Sequence, residues 1–263
     1  MTGWIVSHTP PGLLLAALIV LISGGAILLA ALVRRWFPTL SGDEHNDVTK
    51  FTYGFIGFIY AFFIGFVVSS MWGQTNAADA NARAEGAAAV EMARSLDVFA
   101  KADSDRIHTG LLRYEQAAIA EWDAGTGIRS PEADAALAQL TAAYRQAGAS
   151  TDPQKAVLAS SLTNLDKVSQ ARTVRLLTAR EDTGPPWPLW AVIFLTSALV
   201  VGTAIVYGVE KPGMHYPMVA IVGLVVAANL FLILELSHPF LGGIATTSDP
   251  LYEVVSVLGQ PGR

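Results

Sequence analysis

The sequence predicts an all-α integral membrane protein in which four transmembrane helices carry a helical soluble domain inserted between the second and third spans. Three observations lead there. Of the 263 residues, 52% are hydrophobic and only 15% charged, whereas about a quarter of the residues in an ordinary soluble domain are charged. Residues 13–33, 51–72, 189–209 and 218–237 each supply the roughly 20 largely apolar residues that one bilayer crossing needs, and Glu235 is the one formal charge among them. Between the second and third spans the character reverses: residues 73–186 hold twelve of the seventeen Lys and Arg and fifteen of the twenty-two Asp and Glu. The expected organisation is therefore 1–72 for the first two spans and their loop, 73–186 for the soluble domain continuing from the second span, and 187–263 for the last two spans and the C-terminal tail.

The first span lacks a basic segment before it and ends in Arg34-Arg35 rather than at a small-residue cleavage site, so it reads as a retained span and not a secretory leader. The loop that follows contains Asp43, Glu44, His45, Asn46 and Asp47. A divalent metal would need ligands at a recognisable spacing, and neither a second histidine nor an EF-hand pattern accompanies these residues. The polar loop cluster Glu44, His45, Asn46, Asp47 is expected to cap and tie helices together, with no metal and no cofactor.

The second span is the most informative element. At 100° per residue, Phe51, Phe55, Phe58, Phe62 and Phe66 fall in one stripe and Gly54, Gly57, Ala61 and Gly65 in the adjacent one. Small residues let a second helix approach closely, which makes the second stripe a helix-packing candidate. The phenylalanines have two readings: they face lipid or fill space, or Phe58, Phe62 and Phe66 line a constriction that gates by dewetting, which requires several copies around an axis. No proline lies between Pro38 and Pro131, so the helix is expected to leave the bilayer and run on to about Ala102, with Asp103, Ser104 and Gly110 marking the break. Its alanine-rich continuation buries little area per residue and needs neighbours, in a helical hairpin or in a stalk shared between copies.

Ser130-Pro131 signals an N-cap with proline at the first helical position, opening a helix closed by Gly148. Asp152-Pro153 repeats the signal. The helix it opens places Leu158, Leu162, Leu165, Val168, Arg172 and Leu176 on one face and leaves Lys167, Gln170 and Arg180 in water. Arg172 and Arg175, three apart, are expected to pair with Glu85 or Glu121 beside Trp122. Gly184-Pro185-Pro186 ends this helix just before Trp187 and Trp190, residues suited to a membrane interface. In the fourth span Asn229 is expected to bond across to another helix, and Glu235 and His238 to reach water at the span's end.

Enzyme signatures such as GxSxG, a phosphate-cradling glycine loop or HExxH are missing, and no enzymatic activity is expected. A net charge of −5 without a basic, aromatic-interleaved patch argues against nucleic acid. There is no cysteine, which rules out disulfides and thiolate chemistry.

At these residues the chain resembles bacterial four-span membrane proteins known as bestrophin-like. Glu44-His45-Asn46-Asp47 is similar to that family's loop after the first span, and Tyr60-Ala61 through Gly65-Phe66 and Trp72 to its second-span pattern. Glu85, Glu121-Trp122, Arg172 with Arg175, Trp190, and Pro239-Phe240 with Gly242 resemble its remaining motifs, in order and spacing, over nearly the whole chain. The resemblance implies a relationship to pentameric anion channels with a phenylalanine-containing neck on the second span, although the acidic calcium clasp of true bestrophins has no counterpart here. Two functions follow as expectations: a homo-oligomeric channel or transport protein whose second spans line the axis, or a non-conducting scaffold or sensor whose helical domain binds a partner or lipid. The expected partners are membrane lipid and further copies of the chain.

Four spans put both termini and residues 73–186 on one side of the membrane. The short loops carry Arg34, Arg35, Lys50 and Lys211, against Arg263 alone in the two tails. The positive-inside rule thus places the loops in the cytoplasm and the helical domain outside, whereas bestrophin topology would place that domain in the cytosol.

Overall fold

The computed structural model describes residues 2–37, 46–125, 127–180, 183–207 and 212–260, all helix or connection, with no strand among them. The chain divides into two compact units, Met1–Gln74 with Thr183–Ala245, and Thr75–Asp182 with Thr246–Arg263.

The first unit contains four helices long and apolar enough to cross a membrane. A short α1 (Thr2–His8) precedes α2 (Pro11–Trp36), α3 (Asn46–Arg94) begins here, and α7 (Trp187–Val206) and α8 (Pro212–Leu236) complete the unit. Helix α2 crosses α8 where both are small. A Cβ built on Gly223 would lie 2.8 Å from the Cα of Ser23, and the Ser23 hydroxyl donates to the Ala220 carbonyl at 3.2 Å. Between lipid-soluble helices the hydrophobic effect gives no net pull, so such close approach and interhelical bonding hold the pair. A second contact layer joins α3 to α7 and α8 through Tyr60, Ile64, Val67, Met71, Ile193, Val200, Val226 and Ile233.

The second unit is built on the later part of α3, a 3₁₀ turn at Leu96–Val98, α4 (Lys101–Asp123), α5 (Pro131–Gln146), α6 (Asp152–Arg180) and α9 (Asp249–Gly259). Its core is an apolar cluster of Ala88, Ala89, Met92, Ile107, Leu111, Tyr114, Leu140, Tyr144, Val168 and Leu251, with their neighbours.

Helix α3 is one uninterrupted element of 49 residues, about 73 Å long at 1.5 Å per residue. It stops at Arg94, earlier than its composition suggests, because Leu96 and Phe99 turn into the core of the second unit. Gly110 is no break; it lies inside α4, where its missing side chain lets the Leu140 Cα of α5 come to 3.5 Å from the Cβ position. Asp103 accepts from the Gly148 amide at 2.9 Å and so ties the end of α5 to α4.

The Ser130 hydroxyl accepts from the Ala133 amide at 3.3 Å, the N-cap bond expected of Ser-Pro. At α6 the cap falls one residue before Asp152. The Thr151 hydroxyl accepts from the Gln154 amide at 3.4 Å, and the Gln154 side chain returns to the Thr151 amide at 3.2 Å. This reciprocal box satisfies two otherwise orphaned donors, which an aspartate alone does not.

Two further expectations change. The C-terminal segment from Thr246, grouped in the sequence reading with the last two spans, belongs to the second unit. Leu251, Val254 and Leu258 form the buried face of α9, and Gly86 accommodates the backbone of Pro250, whose carbonyl oxygen lies 2.5 Å from where a Cβ would be. Glu235, expected to reach water, is buried. Its Oε2 accepts from the Gly243 amide at 2.7 Å, and Gly242, with φ at +92°, leaves no room for a side chain against that carboxylate and Val6.

Candidate functional site

Two places bring the sequence-predicted residues together. The first is the outer face of α3 within the membrane unit. Tyr60, Ile64, Val67 and Met71 recur at helical spacing and turn inward to α7 and α8, so the phenylalanines on the other side are left uncovered by the described residues of their own chain. Phe58, Phe62 and Phe66 are 71%, 74% and 70% exposed, and Phe51 and Phe55 continue the stripe. The neighbouring small-residue stripe is also uncovered. A Cβ added to Gly54, Gly57 or Gly65 meets nothing within 4 Å, and Ala61 is exposed. Among the described residues no helix of the same chain packs on this ridge; a close small-residue crossing in this unit is instead the Ser23–Gly223 contact of α2 and α8.

In the later part of α3, Ala77, Ala80, Ala84 and Ala87 are exposed while Glu85, Ala88, Ala89 and Met92 are buried.

The second place is a buried charge cluster in the helical unit. Arg172, on α6, donates from Nε to Glu121 Oε1 at 3.0 Å and from Nη2 to Oε2 at 2.6 Å. Its Nη1 reaches Asp134 Oδ1 at 2.7 Å. One turn on, Arg175 donates from Nε to Glu85 Oε2 at 3.2 Å and from Nη2 to Oε1 at 3.3 Å, lies 3.6 Å from Glu121, and stacks its guanidinium 4.7 Å from the centre of the Trp122 ring. The Tyr114 hydroxyl donates to Glu85 at 3.3 Å, and the Ser130 amide to Glu121 at 2.7 Å. Planar arginine forks against carboxylates suit such a site because each uses two parallel bonds to offset desolvation.

Electrostatics follow from this geometry. Burial pushes the Glu121 carboxyl upward, but hydrogen bonds from Arg172 and Ser130 and the two guanidinium charges outweigh it and leave the pKa below the ordinary carboxylate value. For Asp134 burial is likewise outweighed by Arg172 and Arg129, and for Arg172 desolvation is overcome by Glu121 and Asp134, which raise its pKa further. Glu115 goes the other way. Fully buried, with no hydrogen-bond partner for either oxygen among the described residues, it is pushed well above its usual value by desolvation and then by the charge of Glu85, with Arg175 opposing. Tyr114 is raised by burial and by Glu85 and Glu115.

Sequence reasoning singled out Glu85, Glu121, Arg172 and Arg175 but not Asp134, Tyr114 or Glu115. For Glu115 a signal existed: it shares a helical face with Ile107, Leu111, Tyr114 and Ala118, all buried. In the first connecting loop Glu44 and His45 lie outside the described residues, as do the side chains of Asn46 and Asp47 that open α3. Among the described residues no three His, Asp or Glu side chains are grouped to hold a metal ion.

Comparison with known proteins places this architecture. A single-substitution variant of a bacterial bestrophin homologue from Klebsiella pneumoniae superimposes with a TM-score of 0.65 at 15% sequence identity, over 93% of this chain and 98% of that one. Another variant of that homologue gives 0.63 at 16%, over 92% and 98%. A crystal structure described only as that of a membrane protein gives 0.67 at 16%, over 94% and 99%. Such identities establish a shared fold. No curated protein matches. The bestrophin-like domain model matches residues 20–251, nearly the whole of both units, and the chain therefore belongs to the bestrophin-like family.

Proposed function

We infer that the protein is a homo-oligomeric channel for small anions in which the α3 helices of several copies surround the conducting axis. The observation that carries this reading is a face of α3 that the described residues of its own chain leave bare: a phenylalanine stripe beside a ridge of Gly54, Gly57, Ala61 and Gly65 on which none of the described helices lies. Glycine in a membrane helix gives up side-chain contacts and is useful where another helix comes close. A neighbouring copy seated on the ridge would turn Phe58, Phe62 and Phe66 toward a common axis. Three successive rings of phenylalanine in a narrow passage expel water and close it to ions until it widens. Membership of the bestrophin-like family supports anions as the permeant species and five as the copy number.

The test is the triple variant Phe58→Ala, Phe62→Ala, Phe66→Ala reconstituted in liposomes. A wetted, widened constriction passes chloride faster than the wild type. Unchanged flux in a folded triple variant, or a monomeric protein in detergent, overturns the channel reading and leaves the scaffold reading.

Sidedness follows from the basic residues of the short connections, which support a cytoplasmic position for those loops and an extracytoplasmic one for the helical unit. Because the chain has no cysteine, Ile128→Cys, at an exposed position, gives a single thiol. Its labelling by a membrane-impermeant maleimide on intact cells supports this assignment, and its protection until lysis reverses it.

A further inference from the structure

Within the membrane unit, the start of α3, the end of α7 and the first turns of α8 enclose a cleft of about 530 Å³, inside the range of about 300–1,000 Å³ typical of small-molecule sites. Its body is apolar, made by Met214, Pro217, Met218 and Ile221 of α8. Its polar groups are Lys50 and two tyrosines, Tyr53 and Tyr207, whose rings lie 6.5 Å apart. We propose that this cleft is a binding site for a membrane phospholipid with an anionic headgroup, its phosphate at Lys50 and the tyrosine hydroxyls and an acyl chain along the α8 wall.

Three features argue for that occupant. The cleft sits where three apolar spans begin or end, which is the depth of lipid headgroups. Tyrosine, with an apolar ring and a hydroxyl, is a residue of that depth, and a lysine there complements a phosphate rather than an acyl chain. Pro217 lies inside α8; it cannot donate a backbone bond to the carbonyl of Gly213, and its ring displaces the preceding turn, so the cleft wall is built into the helix. The two methionines are flexible and polarizable enough to fit a disordered chain. The site stands apart from the phenylalanine face and does not depend on whether the protein conducts.

The experiment uses the full chain, purified in neutral detergent, delipidated and titrated with phosphatidylglycerol or phosphatidylcholine of identical acyl chains, with retained lipid counted by native mass spectrometry. One phosphatidylglycerol per chain is expected, retained about fivefold better than phosphatidylcholine, the effect of one basic side chain at a charged membrane surface. Lys50→Gln removes the preference, Lys50→Arg keeps it, and high salt weakens it. Ile221→Trp, which fills the apolar wall, lowers retention of both lipids. Lys50 and Ile221 are exposed, and an unchanged melting temperature verifies that each variant is folded. Equal retention of the two lipids by the wild type overturns the proposal, as does retention that neither variant changes. If Ile221→Trp alters the oligomer mass and phosphatidylglycerol does not bind, the cleft is an interface between copies and the proposal fails.

Discussion

Arg172 grips Glu121 with both prongs of its guanidinium, at 3.0 and 2.6 Å, with neither side chain in contact with solvent. A buried pair of this kind is weak evidence for stability as a whole, because two ions have been taken out of water to make it. What it fixes is the mutual register of α4 and α6, and losing half of it strands a charge.

Either Glu121→Met or Arg172→Met alone should destabilise the helical unit by about 3–5 kcal/mol, and the double variant by less than the sum. Exchanging the two charges is not expected to restore folding, since a glutamate at 172 would face Asp134, whose Oδ1 now lies 2.7 Å from Arg172. Thermal unfolding in detergent checks this; additive losses would mean that the two side chains do not act as a unit.

Glu115 predicts an unusual pH dependence. Its folded pKa lies above the unfolded one because of burial and the neighbouring Glu85, against Arg175. The sign is therefore that of a group whose contribution is fully present below the unfolded carboxylate value and is lost as pH rises through the folded one. The loss has a limiting slope of about 1.4 kcal/mol per pH unit. Glu115→Gln should abolish that slope and be more stable than the wild type at neutral pH. Glu121 and Asp134 act in the opposite direction in acid and are common to both proteins, so the difference between the two melting profiles isolates Glu115. Parallel profiles would sink the idea.

Two glycines on different membrane helices should respond differently to the same change. Gly223→Val drives a branched side chain into the Ser23 backbone of α2 and should cost about 1–3 kcal/mol of stability. Gly57→Val meets open space in its own chain, so the subunit should fold as before while the oligomer loosens. Size-exclusion mass alongside melting temperature separates the cases, and an unaltered oligomer for Gly57→Val would argue that no copy rests on this ridge.

Much of the architecture was legible from composition. The four spans follow from length and hydropathy, and Ser130-Pro131 announces the start of α5 because a cap is a contact three residues long. The end of α3 was placed too late because Leu96 and Phe99 turn into a core contributed by α4, α5, α6 and α9, and Gly110 reads as a breaker until Leu140 is seen against it. The tail from Thr246 was misplaced for the same reason: the partner that accepts Pro250 is Gly86, far back on α3.

By itself, then, the sequence determined that the fold is all-α and which four stretches are compatible with lipid, since these are local properties of composition and period. The tertiary structure decided which faces are covered. It paired Arg175 with Glu85 across 90 residues of chain and Arg172 with Glu121 across 51, left Glu115 without a partner among the described residues, and turned Tyr60 inward so that Phe58, Phe62 and Phe66 stay bare. A helix period arranges residues relative to one another on a cylinder. Only packing against other helices chooses which side of that cylinder is buried, because burial is a free energy shared between surfaces distant in sequence.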